Sequence, residues 1–194
     1  MSRKAWYRHA ILCSVLVWVT FASAEDNPQQ KLDRQFQLAV AQYDAGQFAA
    51  AAAQLESLLP HVPNNFEVQE LLGLVYASMS QDAKAIAHLE AAVRLKPDSA
   101  AARTNLAASL SRTGRTQLAG EQLRKAFALT PHDYTANHNL GEFYIKSGKI
   151  AEARPLLERA QRIDPSSYDN GYDLAMAELL TGQLAEARQL VQSL

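Results

Sequence analysis

The chain has 194 residues, 48% of them hydrophobic and 20% charged, proportions that fit a globular domain or repeat array and exclude a disordered or fibrous chain. A formal net charge of −1 supplies no basic face, so nucleic acid is not an expected partner. The single cysteine, Cys13, excludes a disulfide framework.

The first predicted element, residues 1–24, reads as a secretory signal peptide. Arg3, Lys4 and Arg8 precede an uncharged run over residues 10–24 that closes on Ala22-Ser23-Ala24, a small-x-small cleavage site. The run is shorter than the ~20 residues a membrane-spanning helix needs. Cleavage after Ala24 removes Cys13, Trp6 and Trp18. What remains is expected to be periplasmic or secreted, without a stable membrane span and without a thiol; the alternative is that the segment is retained, uncleaved, as an N-terminal anchor. A lipid-anchored reading would use Cys13, which lies early in the apolar run instead of after it.

A short lead-in, residues 25–31, precedes a pattern that returns every 34 residues. Leu72-Gly73, Leu106-Ala107, Leu140-Gly141 and Leu174-Ala175 each place Leu before a very small residue, with a fainter copy at Leu38-Ala39. Gly46, Gly114, Gly148 and Gly182 keep the same spacing, as do Ala51, Ala85, Ala119, Ala153 and Ala187, and Pro63, Pro97, Pro131 and Pro165. Five units follow: 32–65, 66–99, 100–133, 134–167 and a shortened 168–194.

Each unit reads as two amphipathic helices joined by a tight turn. In the fourth, the first helix is expected near residues 134–147, with Leu140, Gly141 and Tyr144 on one face. Gly148 ends it, because glycine takes the left-handed conformation without steric cost. The second helix is expected near residues 150–163, with Ala153, Leu157 and Ala160 on one stripe, stopped by Asp164-Pro165. Ser166 or Ser167 can cap the helix that follows. Gly73, Ala107, Gly141 and Ala175 are structural markers, small so that the second helix of each hairpin can nest against the first.

These markers resemble the tetratricopeptide repeat, whose 34-residue period and Leu-Gly, Tyr, Ala and Pro positions they share. The resemblance covers residues 32–194 and implies an all-α fold, a right-handed α-solenoid of stacked helix-turn-helix hairpins. Departures are visible. The repeat's Trp is missing throughout, Leu55, Leu89, Leu123, Leu157 and Val191 replace its second-helix aromatic, and Ser80 replaces the turn glycine of the second unit. Pro155 falls inside a second helix, where a kink or a late start is expected.

The resemblance also implies that the first helices line a concave groove for an extended peptide or a partner's helix. Helical spacing assigns Phe36, Val40 and Tyr43 to it, then Glu70, Leu74 and Ala77, then Thr104, Ala108 and Ser111. His138, Glu142 and Ile145 continue the series, with Tyr172, Met176 and Leu179 at its end. The sixth residue of each unit, Gln37, Leu71, Asn105, Asn139 and Asp173, is where the repeat often carries Asn. An amide donates and accepts at once, so Asn105 and Asn139 suit reading a peptide backbone; the alternative is a purely structural role. Arg112 and Lys146 occupy equivalent places and are expected to form a small basic pair. A carboxylate clamp is absent or much degraded, since its places hold Phe36, Val40, Ala101 and Asn105.

No catalytic residues, no metal ligands and no cofactor are predicted. His61, His88, His132 and His138 show no i, i+4 pairing with an acidic helper, and neither a phosphate loop nor G-x-S-x-G occurs. The expected partners are proteins or peptides, and the leading reading is an exported, non-catalytic adaptor. Two others stand beside it: a substrate-recruiting arm of a larger enzyme such as a glycosyltransferase or protease, and an end-to-end homo-oligomer. The last rests on Tyr172, Met176, Leu179 and Leu180, an apolar end in a fifth unit that halts at Leu194 within its second helix. That halt raises the expectation that the product continues further or that another chain covers the end.

Overall fold

A computed structural model describes residues 27–193; the signal-peptide reading of residues 1–24, the first two residues of the lead-in and Leu194 lie outside them. The described residues form ten helices and no strand. In chain order these are α1 (Pro28–Asp44), α2 (Phe48–Leu58), α3 (Phe66–Ser78), α4 (Asp82–Leu95), α5 (Ala100–Arg112), α6 (Thr116–Leu129), α7 (Tyr134–Lys146), α8 (Ile150–Ile163), α9 (Tyr168–Leu180) and α10 (Leu184–Ser193).

Local chemistry sets the boundaries. The helices α3, α5, α7 and α9 each begin behind a polar side chain that accepts a backbone N–H: Asn65 from Val68, Ser99 from Ala102, Asp133 from Ala136 and Ser167 from Asn170. Of the two serines able to cap α9, Ser167 does so, while Ser166 turns back to Asp164. Each first helix ends at a left-handed residue. Four are glycines, Gly46, Gly114, Gly148 and Gly182, with φ between 71° and 82°; the fifth is Ser80, at φ 57°. The next residue then donates back to the helix, as Gln81 does to Tyr76 O and Lys149 to Tyr144 O, both at 2.8 Å.

Packing follows the repeat. Consecutive helices pack along the whole chain, and each first helix also touches the next first helix, α1 with α3 through α7 with α9. Among the described residues, no two second helices touch. The first helices therefore lie on the inner side of an α-solenoid and the second helices on its outer side.

Within a hairpin the small markers set the approach. A Cβ on Gly141 would lie 2.7 Å from Leu157 Cδ2, and one on Gly73 2.4 Å from Leu89 Cγ. Gly120, on α6, has the same role between units, with Phe143 Cζ 2.5 Å from the place of its missing Cβ. The leucines at the replaced aromatic position, Leu55, Leu89 and Leu157, are fully buried, and Leu123 nearly so.

Pro155 does not delay its helix. α8 starts at Ile150, the same place in its unit as Thr116 in α6, and runs through Pro155 to Ile163. Both Pro155 and Ala151, whose carbonyl loses a helical donor, are exposed, so water can take the missing bond.

Candidate protein-interaction groove

Because α5, α7 and α9 share the inner side, their polar residues converge there. Thr104, Ser111 and Arg112 of α5 face Asn139, Glu142 and Lys146 of α7 across a cavity of ≈ 300 Å³, floored by Leu123 and Phe143. One step along, His138 and Glu142 meet Tyr168, Asp169, Tyr172 and Asp173 around a second cavity of ≈ 300 Å³. Glu142 belongs to both.

The geometry distributes the sequence-derived residues unevenly. Asn139 lines the α5/α7 cavity. Asn105 lines a separate one beside it, with Ala101, Asp133 and Thr135, and Thr104 connects the two. Tyr172, Met176 and Leu179 run along one face of α9, where they line an apolar cavity of ≈ 500 Å³ with Leu184, Ala187 and Val191 of α10. Tyr43 is half-buried and packs against Phe48, ring centroids 5.6 Å apart, as part of the first hairpin's core.

The expected basic pair is differently built. Arg112 reaches across to α4, with Nη2 2.6 Å and Nε 2.8 Å from Asp82 Oδ1, while Nη2 also donates to Ser109 Oγ. Lys146 Nζ lies 2.6 Å from Glu142 Oε1 one turn back. Both cations line the groove, but each faces a carboxylate. The paired charges offer a partner both signs rather than a positive patch.

His138 stacks on Tyr134, with ring centroids 5.6 Å apart and planes 10° from parallel, and its Nδ1 donates to Asn170 Oδ1 at 3.3 Å. The Tyr134 hydroxyl meets Ser167 Oγ at 2.5 Å. These bonds tie α7 to the start of α9 and hold the groove wall in place. Burial pushes the Asp173 carboxyl above its ordinary value; His138 and Lys146 oppose this, and Glu142 and Asp169 add to it. Among the described residues, no group of three His, Cys, Asp or Glu side chains is placed to hold a metal ion.

A second set of polar residues emerges only in the structure. Gln69 Nε2 donates to Pro63 O, Arg103 Nε to Pro97 O and Asn137 Nδ2 to Pro131 O, all at 3.0–3.1 Å. Each also reaches its own second helix: Gln69 to His88, Arg103 to Gln122 and Asn137 to Arg159. They latch the turn before the unit to the hairpin after it. Their spacing of 34 residues was readable, yet Gln, Arg and Asn share no single side chain, so it is less apparent than that of Leu or Gly. In the fifth unit this place is Gly171, and Gln161 Nε2 takes the Pro165 carbonyl instead. Asn170 is buried beside it and donates to Leu157 O and Gln161 Oε1.

An inner groove on stacked helical hairpins defines a repeat scaffold, a class that offers one long surface instead of a single pocket. Two sequence profiles of the tetratricopeptide repeat match the chain, one over residues 36–100 and 80–134, the other over 110–167 and 146–194; the chain belongs to the tetratricopeptide repeat family. No curated protein sequence matches it. Among solved structures, that of MamA is similar at 25% identity and a TM-score of 0.72, over 80% of this chain and 91% of that one. The Pseudomonas aeruginosa pilF structure is similar at 20% identity and a TM-score of 0.76, over 85% and 75%. YrrB, described as a tetratricopeptide repeat protein with an unusual peptide-binding site, is similar at 18% identity and a TM-score of 0.68, over 82% of each chain.

Proposed function

We propose that this chain is an exported, non-catalytic scaffold that holds an extended peptide or partner segment in the inner groove of α5, α7 and α9, and so brings other proteins together. The observation that carries the reading is the continuous polar wall formed by Thr104, Ser111, Asn139, Glu142 and Lys146, which project into open cavities instead of the core. Asn139 can both donate to a carbonyl and accept from an N–H, so it suits a peptide backbone of any sequence. Tyr168 and Tyr172, both exposed beside Asp169 and Asp173, favour a segment with cationic and apolar side chains. The peptide-binding site described for YrrB, a chain of similar fold, is consistent with this use.

Recovery of partners from an envelope fraction tests the proposal, with the wild-type chain and an Asn105→Ala/Asn139→Ala variant as baits. Selective loss of captured proteins with the variant supports groove binding; an identical set with both baits overturns it. Export has its own test. The only tryptophans, Trp6 and Trp18, precede the expected cleavage site, so the exported protein should show no tryptophan fluorescence.

A further inference from the structure

Junctions between hairpins are built from the same places in the unit, and at the two ends of the described residues Leu38 and Val191 hold those places uncovered. At the fourth junction, Ala153 and Leu157 of α8 form a buried cluster with Leu174 and Ala177 of α9. One unit further on, Ala153 and Leu157 correspond to Ala187 and Val191 on α10. Four units back, Leu174 and Ala177 correspond to Leu38 and Ala41 on α1.

Exposure separates the internal copies from the terminal ones. Leu72, Leu106, Leu140 and Leu174 are between 0% and 5% exposed, whereas Leu38 is 48% exposed. Leu55, Leu89, Leu123 and Leu157 are at most 8% exposed, whereas Val191 is 59% exposed, and Leu184 beside it 63%. The Val191 end opens onto the ≈ 500 Å³ apolar cavity.

We propose that the α9–α10 face of one molecule receives the outer face of α1 from a second copy, head to tail, rebuilding an internal junction between chains. Ala187 and Val191 then pack against Leu38 and Ala41 of the second copy, the same side chains as in the internal cluster except for Val in place of Leu. The polar edge carries no charge clash. At the internal junction Arg154 pairs with Glu158 at 2.7 Å, and its charge opposes the rise of the buried Glu178 carboxyl. Their counterparts are Arg188, which lines the cavity, and Gln42 on α1. The seam therefore sets a cation beside a neutral amide. Such a contact is heterologous, so it does not close on itself and adds copies in line. It also prolongs the inner groove from one molecule into the next.

Sedimentation of the purified chain tests this, with Leu38→Glu as a head variant and Val191→Glu as a tail variant. The expected wild-type result is a mass that rises with concentration. Each variant alone should associate at least roughly tenfold more weakly, because a carboxylate would be buried at the seam. An equimolar mixture of the two should form a 1:1 pair through the intact tail of one and the intact head of the other. Circular dichroism matching wild type confirms that the variants fold. A wild-type monomer at all concentrations overturns the proposal, as does association that neither variant weakens. Undiminished pairing of Leu38→Glu alone also overturns it, because it places tail against tail.

Discussion

The Leu89 side chain fills the space that a Cβ on Gly73 would occupy, with Leu89 Cγ 2.4 Å from that point. Leu89 is fully buried, so it cannot swing into solvent to make room. Gly73→Leu is therefore expected to destabilise the chain by about 1–3 kcal/mol through overpacking. Leu89→Ala should cost about 2–5 kcal/mol by leaving a cavity. Because the two residues share one space, the double variant should be more stable than the sum of the single losses predicts. Urea denaturation of all four proteins measures the coupling, and strict additivity would contradict the contact.

Ser80 is held at φ 57° where the other hairpins use glycine. An L-residue in that region costs about 1–2 kcal/mol, part of which returns as glycine's greater freedom in the unfolded chain. Ser80→Gly should therefore stabilise the protein by about 0.5–1 kcal/mol. The reverse change, Gly148→Ala, should destabilise it by about 1 kcal/mol. Nothing lies within 4 Å of the Cβ it would introduce, so its effect reports backbone conformation alone. Denaturation midpoints that move the other way would rule out this account of the turns.

The two kinds of asparagine on α7 should behave differently. Asn137 is fully buried and its Nδ2 donates to Pro131 O and Asp133 O. Asn137→Ala should cost about 1–3 kcal/mol by removing a fully buried amide together with the hydrogen bonds that tie the turn to the hairpin. Asn139 is only half-buried and lines the groove. Asn139→Ala should leave stability within about 0.5 kcal/mol of wild type while weakening partner capture. Thermal melts beside the pull-down separate the two roles.

Stability should respond to pH through Glu178. Burial, followed by the nearby charge of Glu186 and then Glu158, raises its carboxyl above the usual range, with Arg154 opposing. Its Oε2 is buried without a partner. A raised folded-state value means that the folded chain holds this proton more tightly than the unfolded one. Its favourable contribution is complete below the unfolded value, about 4.3, and is lost as pH rises through the folded value. Glu178→Gln should therefore raise the denaturation midpoint at pH 7 and lose that advantage by pH 3. A benefit of equal size at both pH values would place its cause outside the ionisation.

Much of this architecture was readable from one sequence because its signals are local and repeated. Gly148 sits where α7 ends, and α8 covers the expected residues 150–163. The groove was less legible. Asn137 and Asn139 are two residues apart on one helix, and only packing tells which enters the core. Arg112 suggested a basic pair with Lys146 because the sequence shows like positions, not partners. Asp82, which takes its charge, is thirty residues away and belongs to another hairpin.

Sequence alone determined the repeat, the helical class and the places where the chain must turn, since helix periodicity, capping and left-handed glycine are properties of short segments. Tertiary structure decided which polar residues are spent holding hairpins together and which remain for a partner. It also decided that Pro155 is tolerated on an exposed helix face. The physical reason is common to these cases: burial and pairing depend on which segment arrives next to a residue, and in a stacked array that neighbour lies a full hairpin away.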